Sequence, residues 1–403
     1  MNVPKIRFET FTEEWRKTSV GQVANIIGGG TPSTSNIHYW GGDIQWFTPS
    51  EVGHCKYVNK SERTISELGL NESSAKLLPA NSILLSSRAT IGEMSINTCE
   101  CATNQGFQSL VPYNADLEFL FYIMHTKKND LIRESNGSTF LEISANKVRS
   151  LGLVVPKRNE QEKIGLFLKN LDSSIETLSK KITSLKQTKQ ACLQQMFPQP
   201  GETTPRIRFK GFEGEWQVKK IGEISERTKG KGYSKSDLRE DGTPIVLYGR
   251  LYTKYSFVID GVDTYAIPTQ GAVFSTGNEV VIPASGETAE DIAIAAAIKQ
   301  KGVILGGDLN ILTFANEFDP SFMALCITNS GTHYELSRFA QGKSVVHLRN
   351  NDIANGHVVC PALAEQQQIA AFFLNMDKQI RIQEQRLEKL KRIKTACLEN
   401  MFV

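Results

Sequence analysis

Two blocks of this chain occur twice, and that duplication constrains the fold more than any other feature. Pro4-Lys5-Ile6-Arg7-Phe8, followed by Phe11, Trp15 and Gly21, returns as Pro205-Arg206-Ile207-Arg208-Phe209, followed by Phe212, Trp216 and Gly222, each partner 201 positions on. The segment from Pro156 to Phe197 returns from Pro361 to Phe402 at an offset of 205. There Glu160-Gln161 matches Glu365-Gln366, Asp172 matches Asp377, and Ala191-Cys192-Leu193 matches Ala396-Cys397-Leu398. Residues 28–135 cannot be aligned convincingly with 229–340, although a weak echo resumes at Gly137-Ser138 and Gly342-Lys343. Self-similarity of this kind means one structural unit built twice. Here it is a duplicated frame around two unlike inserts. A duplicated enzyme would keep its chemistry in at least one insert, whereas a duplicated reader would use the inserts for two targets.

The second block carries a seven-residue apolar period. Ile164, Leu168, Leu171, Ile175, Leu178, Ile182 and Leu185 are spaced alternately four and three apart, and Ile369, Phe373, Met376, Ile380, Leu387 and Leu390 repeat the seam with one interruption at Gln383. That spacing predicts coiled-coil helices with these residues as the pairing face. Lys and Glu fill the other faces, as solvated helices require. Pro198, Pro200, Gly201 and Pro205 end the first helix and make a linker. Unpaired, each helix would expose its stripe, so the economical arrangement packs the two antiparallel about a pseudo-twofold axis. About 27 seam residues at ~1.5 Å each give roughly 40 Å, close to the ~34–36 Å between successive major grooves on one face of B-DNA. A coiled coil used only for dimerisation would show the same seam.

The inserts read as β-rich α/β modules holding out loops. Ser82–Ser86 and Phe107–Pro112 read as strands in the first, Pro244–Tyr248 and Gly302–Leu305 in the second; Leu117–Asn129 and Ser321–Thr328 read as short helices. The expected architecture is therefore α/β (α+β): two β-rich domains, 1–156 and 205–360, separated by two long antiparallel coiled-coil helices at 157–197 and 361–403, with 198–204 as linker.

Several chemistries lack their signatures. The Gly28-Gly29-Gly30-Thr31 run has no lysine of a phosphate-binding loop. Asn104-Gln105-Gly106-Phe107 lacks the prolines of the tetrapeptide with which amino-methylating DNA enzymes hold a flipped base. The Cys99/Cys101 pair has no second pair to complete a zinc site, so no metal is expected, and the seven cysteines read as free thiols of a reducing cytoplasm. No apolar run approaches a membrane span, and Met1–Arg16 lacks a secretory apolar stretch. The formal charge of +3 decides nothing about nucleic acid, because a near-neutral total can hide a basic surface.

Residues suited to DNA contact are better represented. Arg88, between an apolar strand and Gly92, has the fork that grips guanine O6 and N7. Asn104 and Gln105 suit adenine by the same logic, and Thr31, Ser33 and Thr90 lie in neighbouring polar strings. The second insert interleaves cations and tyrosines: Lys229, Lys231 and Tyr233, then Arg250, Tyr252, Lys254 and Tyr255. Such a mixture suits phosphate binding with contact to base edges or sugars. It equally suits a solvated basic strand with its tyrosines packed inward. Lys343 and Arg349, in the weakly repeated segment, are candidates for phosphate.

Taken together, the twice-used P-[KR]-I-R-F…F…W…G opening, the twice-used E-Q…I…F…D helix and the strings Thr31-Pro32-Ser33, Arg88-Ala89-Thr90-Ile91-Gly92, Asn104-Gln105-Gly106 and Tyr248-Gly249-Arg250-Leu251-Tyr252 resemble the specificity subunits of type I restriction–modification systems over nearly the whole length. The resemblance implies two target-recognition domains, each reading half of a bipartite, asymmetric DNA site. It implies helices that set the spacer and dock two methyltransferase subunits. It further implies that the partner chains, not this one, use S-adenosylmethionine for adenine-N6 methylation, and ATP and Mg²⁺ for translocation and restriction in the cytoplasm. The rival readings are an enzyme with its own unrecognised methyl-transfer or nuclease site, and a coiled-coil scaffold or adhesin whose inserts bind protein.

Overall fold

The structure is a computed structural model that describes residues 3–136, 141–342 and 345–403. It divides into two compact units, Met1–Ser179 with Gln385–Val403, and Lys180–Glu384. The long helices run over Arg158–Gln195 and Leu363–Asn400, and each unit takes in part of both.

The first unit contains strands β1 (Arg16–Ser19), β2 (Ala24–Gly28), β3 (Trp40–Phe47), β4 (Tyr57–Val58), β5 (Arg63–Ile65), β6 (Ile83–Leu85), β7 (Met94–Asn97), β8 (Cys101–Thr103), β9 (Gln108–Pro112) and β10 (Gly152–Val155). The second contains β11 (Gln217–Lys220), β12 (Ser225–Lys229), β13 (Thr243–Val246), β14 (Val258–Ile259), β15 (Tyr265–Ala266), β16 (Glu279–Pro283), β17 (Ser285–Gly286), β18 (Ala296–Ile298), β19 (Ile304–Leu305), β20 (Leu309–Phe314), β21 (Val346–His347) and β22 (His357–Cys360). Among the described residues the sheet orders are β2-β9-β6-β7-β4, β5-β3-β8 and β1-β10 in the first unit. In the second they are β12-β20-β16-β18-β14, β15-β13-β19 and β11-β22. These three sheets match strand for strand, including the parallel pairs β3·β8 and β13·β19; the second unit adds the two-stranded sheet β17-β21, where the first has the isolated bridge Arg88–Glu142. The inserts that could not be aligned by sequence share one topology.

The repeated residues hold the frame to the insert in both units. Arg7 forks onto Glu160 at 2.7 and 2.8 Å, and Arg208 onto Glu365 at 2.6 and 2.7 Å. Both carboxylates are buried, so this bidentate pairing is what makes their burial tolerable. Gln161 accepts from the Asp116 backbone N–H at 3.0 Å, and Gln366 from that of Asp319 at 2.9 Å. Asp116 and Asp319 in turn cap the helices Leu117–Thr126 and Pro320–Asn329 by accepting from Phe119 and Phe322. Trp15 packs edge-on against Phe119, and Trp216 against Phe322. Gly21 and Gly222 are needed for close approach. A Cβ at Gly222 would stand 2.8 Å from the Ala354 carbonyl, and one at Gly21 would stand 2.3 Å from the Arg149 side chain.

The apolar seam is buried where it meets the inserts. Ile164, Leu168 and Leu171 are buried in the first unit, and Ile182, Ile369, Phe373, Met376 and Ile380 in the second. Ile175, Leu178, Leu185, Leu387 and Leu390 are half-buried. The ion pairs Lys189–Asp377 and Lys186–Glu384 run in opposite senses along the two helices of the second unit, which fixes their antiparallel pairing. Lys394–Asp172 at 2.7 Å is the counterpart in the first unit, offset by 205 from Lys189–Asp377.

One junction differs between the units. In the first, Lys56 bonds Glu118 and the Tyr122 hydroxyl, each at 2.6 Å. Tyr122 donates to Asp172 at 2.6 Å, and Tyr57 and Lys169 also hold Glu118. Burial pushes the Tyr57 phenol up to about 12 and depresses Lys56, while Glu118 is held below its usual range because these donors outweigh its burial. The sheet register and helix caps place Phe257, Val258, Ser321 and Leu325 of the second unit at the positions of Lys56, Tyr57, Glu118 and Tyr122. There Phe257 and Leu325 are buried in the apolar core.

Local expectations differ from the structure at three places. The expected helix 117–129 breaks at Lys127 into Leu117–Thr126 and Lys128–Arg133. The expected strand 302–305 begins only at Ile304, because Gly302 takes φ +74, a left-handed conformation. The expected strand 244–248 stops at Val246, and Arg250–Thr253 forms a helical turn.

Candidate nucleic-acid interface

In the first unit, loops following β2, β6 and β8 meet at one edge. The Thr31 hydroxyl bonds the Gln105 side chain, and Asn104 accepts from the Gly106 N–H at 2.8 Å, closing a tight turn. The Gly106 carbonyl accepts from Ser87, which leads into Arg88, and Thr90 approaches Ser86 at 3.1 Å. Ala89 adopts φ +58 and Gly92 φ +85, so this second loop doubles back on itself. Ser33 joins through its carbonyl, which accepts from the Trp40 indole at 3.1 Å. Thr31, Ser33, Arg88, Thr90, Asn104 and Gln105 are thus brought to neighbouring loops. Arg88 is not a free cation, since its guanidinium pairs with Glu142 at 2.6 Å.

The edge also contains a residue that sequence reading missed. The Arg63 guanidinium lies 3.6 Å from the centroid of the Trp40 ring, with Trp46 behind it at 5.9 Å. Stacking leaves the rim of an exposed guanidinium available to phosphate or to a base edge. Only the pairing of β3 with β5 brings these residues together, and no spacing in the chain signals it.

In the second unit the candidates divide. Arg250 and Lys254 both pair with Asp263, and the Arg250 side chain is mostly buried. Their two cations hold Asp263 well below the usual carboxylate range. The Tyr233 hydroxyl accepts from Thr269, and the Tyr255 hydroxyl bonds Ala295 and Thr328. These four are tied into the insert. Lys229, by contrast, lines a cleft of about 270 Å³ with Ser285, Asp308, His347 and Arg349. Tyr252 reaches its rim, donating to the Ser285 carbonyl at 2.8 Å. Lys231 follows on the same edge, its N–H bonded to Leu305. Lys343 lies outside the described residues.

Among the described residues no group of His, Cys, Asp and Glu gathers as a metal site, and no helix is long and apolar enough to cross a membrane. Cys101 is buried, with its thiol pushed up to about 12 by that burial.

Comparison with known proteins agrees with the geometry. The family model described as the type I restriction modification DNA specificity domain matches twice, over residues 12–187 and 213–392. The type I restriction enzyme MjaIX specificity subunit of Methanocaldococcus jannaschii is 24% identical, across 96% of this chain and 93% of that protein. The EcoR124I/EcoR124II specificity subunit of Escherichia coli is 30% identical over 44% of each chain. Among solved structures, the S subunit of the type I restriction-modification system of M. genitalium superposes with a TM-score of 0.62 at 15% identity, covering 100% of this chain and 99% of that one. A chain from a structure on complex assembly and conformational transition of the type I R-M system gives 0.52 at 16% identity, over 96% of both.

Proposed function

The chain belongs to the family of type I restriction–modification DNA specificity subunits, and from that premise we propose that its units read the two halves of one bipartite, asymmetric duplex site. The observation that carries this reading is one sheet topology built twice with different side chains on its loops. Identical scaffolds with unlike loop residues suit two different half-sites. Base contacts from the loops supply specificity, and phosphate contacts set position.

The long helices set the spacer between half-sites and dock two methyltransferase subunits. An exposed apolar patch on the repeated frame supports two-copy docking. In the first unit it comprises Ile6, Leu166 and Phe167, with Phe8 edge-on to Phe167. In the second, Ile207 and Leu374 flank the Phe209–Phe372 pair. A surface repeated where the inserts are not fits two copies of one partner. Adenine-N6 methylation with S-adenosylmethionine then belongs to those partners, and ATP- and Mg²⁺-dependent restriction to motor subunits. The assembly works on DNA in the cytoplasm.

The test is to insert four residues after Leu178 and to map N6-methyladenine in DNA modified by the reconstituted complex. The half-sites should stay the same while the tolerated spacer changes. An unchanged spacer would remove the helices from that role. Turnover of S-adenosylmethionine by the chain alone would favour the rival enzyme.

A further inference from the structure

We propose that the second unit holds a DNA backbone phosphate in the cleft between Lys229, His347 and Arg349, and that the first unit has no counterpart. The inference rests on the DNA reading above and assigns a site within it. Lys229 ends strand β12, while His347 and Arg349 come from the segment that crosses β17. The side chains of Lys229 and Arg349 are exposed and form no ion pair among the described residues, although the Asp352 carboxylate accepts from the Arg349 backbone N–H at 3.2 Å. The Ser285 hydroxyl lies 3.4 Å from His347 Nδ1, so a hydroxyl and an imidazole also face the opening. Asp308 is the one carboxylate on the lining, and two permanent cations outnumber it. Two cations with a hydroxyl and an imidazole match the several acceptor oxygens of a phosphodiester better than any apolar or cationic ligand.

The matching place in the first unit is closed to an anion. Arg88 and Glu142 make the same antiparallel bridge as Ser285 and His347, but as an ion pair at 2.6 Å. Gly28 stands at the end of β2 where Lys229 ends β12, and Ser144 caps the following helix from the N-cap position that Arg349 occupies in the second unit. Both cations of the second cleft are therefore replaced by uncharged residues in the first, and Arg88, which stands at the Ser285 position, is paired with Glu142. The two units should differ in how many counterions they release.

The experiment compares Lys229→Ala/Arg349→Ala with wild type, as the full chain assembled with its methyltransferase subunits. The probe is a duplex containing the site mapped by methylation sequencing, titrated over a range of salt. Losing one held phosphate should lower the magnitude of the slope of log K against log salt by about 0.9, and should weaken binding about tenfold at low salt. Lys229→Arg/Arg349→Lys should restore the slope, which separates lost charge from misfolding. Competition by inorganic phosphate alone, with an unchanged duplex slope, would make the cleft a free-anion site and overturn the proposal. Normal wild-type binding with an unchanged slope in the alanine variant would do the same while leaving the DNA reading intact. A wild-type complex that bound no duplex would sink both.

Discussion

Replacing Glu118 by alanine should loosen the first unit at one defined junction. Glu118 is 13% exposed and its partner Lys56 is 14% exposed, so the variant leaves an ammonium largely shielded from water. Removing one partner of a buried pair typically costs about 3–5 kcal/mol. Lys56 retains the Tyr122 hydroxyl at 2.6 Å and Asp172 at 3.9 Å, which brings the cost below that range, to about 2–3 kcal/mol. That corresponds to roughly 30- to 150-fold faster exchange of the amides of residues 117–126, where local opening limits the rate. Hydrogen–deuterium exchange of the full chain reads this segment directly, with the corresponding helix Pro320–Asn329 as internal control. The second unit supplies the compensating design. Lys56→Phe, Tyr57→Val, Glu118→Ser and Tyr122→Leu together transplant its junction and leave Asp172 with Lys394. Exchange in that variant should return close to wild type, because well-packed apolar residues can replace a buried ionic cluster at little cost. The reasoning fails if Glu118→Ala leaves exchange unchanged, or if the transplant is as damaging as the single substitution.

Two further outcomes follow from the same contacts. Glu118 has its native pKa depressed by Lys56 and Tyr57, so its contribution is full above its unfolded value of about 4.3 and drains away as pH falls through the native one. The exchange difference between wild type and Glu118→Gln should therefore be constant near pH 6 and shrink below about pH 4; a difference that grows on acidification would contradict the sign. Gly222→Val puts a branched side chain 2.8 Å from the Ala354 carbonyl and should destabilise the second unit by about 1–3 kcal/mol. A urea midpoint within error of wild type would show that the Asn350–Asn355 helix yields freely.

The site was only partly legible from the chain. Loop residues such as Thr31, Asn104 and Gln105 could be nominated, because turn chemistry and side-chain shape are local properties. That Arg88 and Arg250 are answered by Glu142 and Asp263 could not be read, because those carboxylates are 54 and 13 residues away with nothing periodic to link them. His347 and Glu142 share the 205 offset of the helical block, so the echo between the repeats marked the place without revealing its chemistry.

Duplication and the heptad seam were enough to establish two repeated units and paired antiparallel helices, since a seven-residue apolar stripe has few stable solutions and a repeated block repeats its contacts. The reasons for the repeated Arg, Glu, Gln and Gly emerged only in three dimensions, as a buried fork, a cap on another helix and a close backbone approach. Tertiary structure alone showed that the unalignable inserts are one topology. Strand order is held by backbone hydrogen bonds and alternate burial, which many side chains satisfy equally, so sequence can diverge completely while the sheet does not.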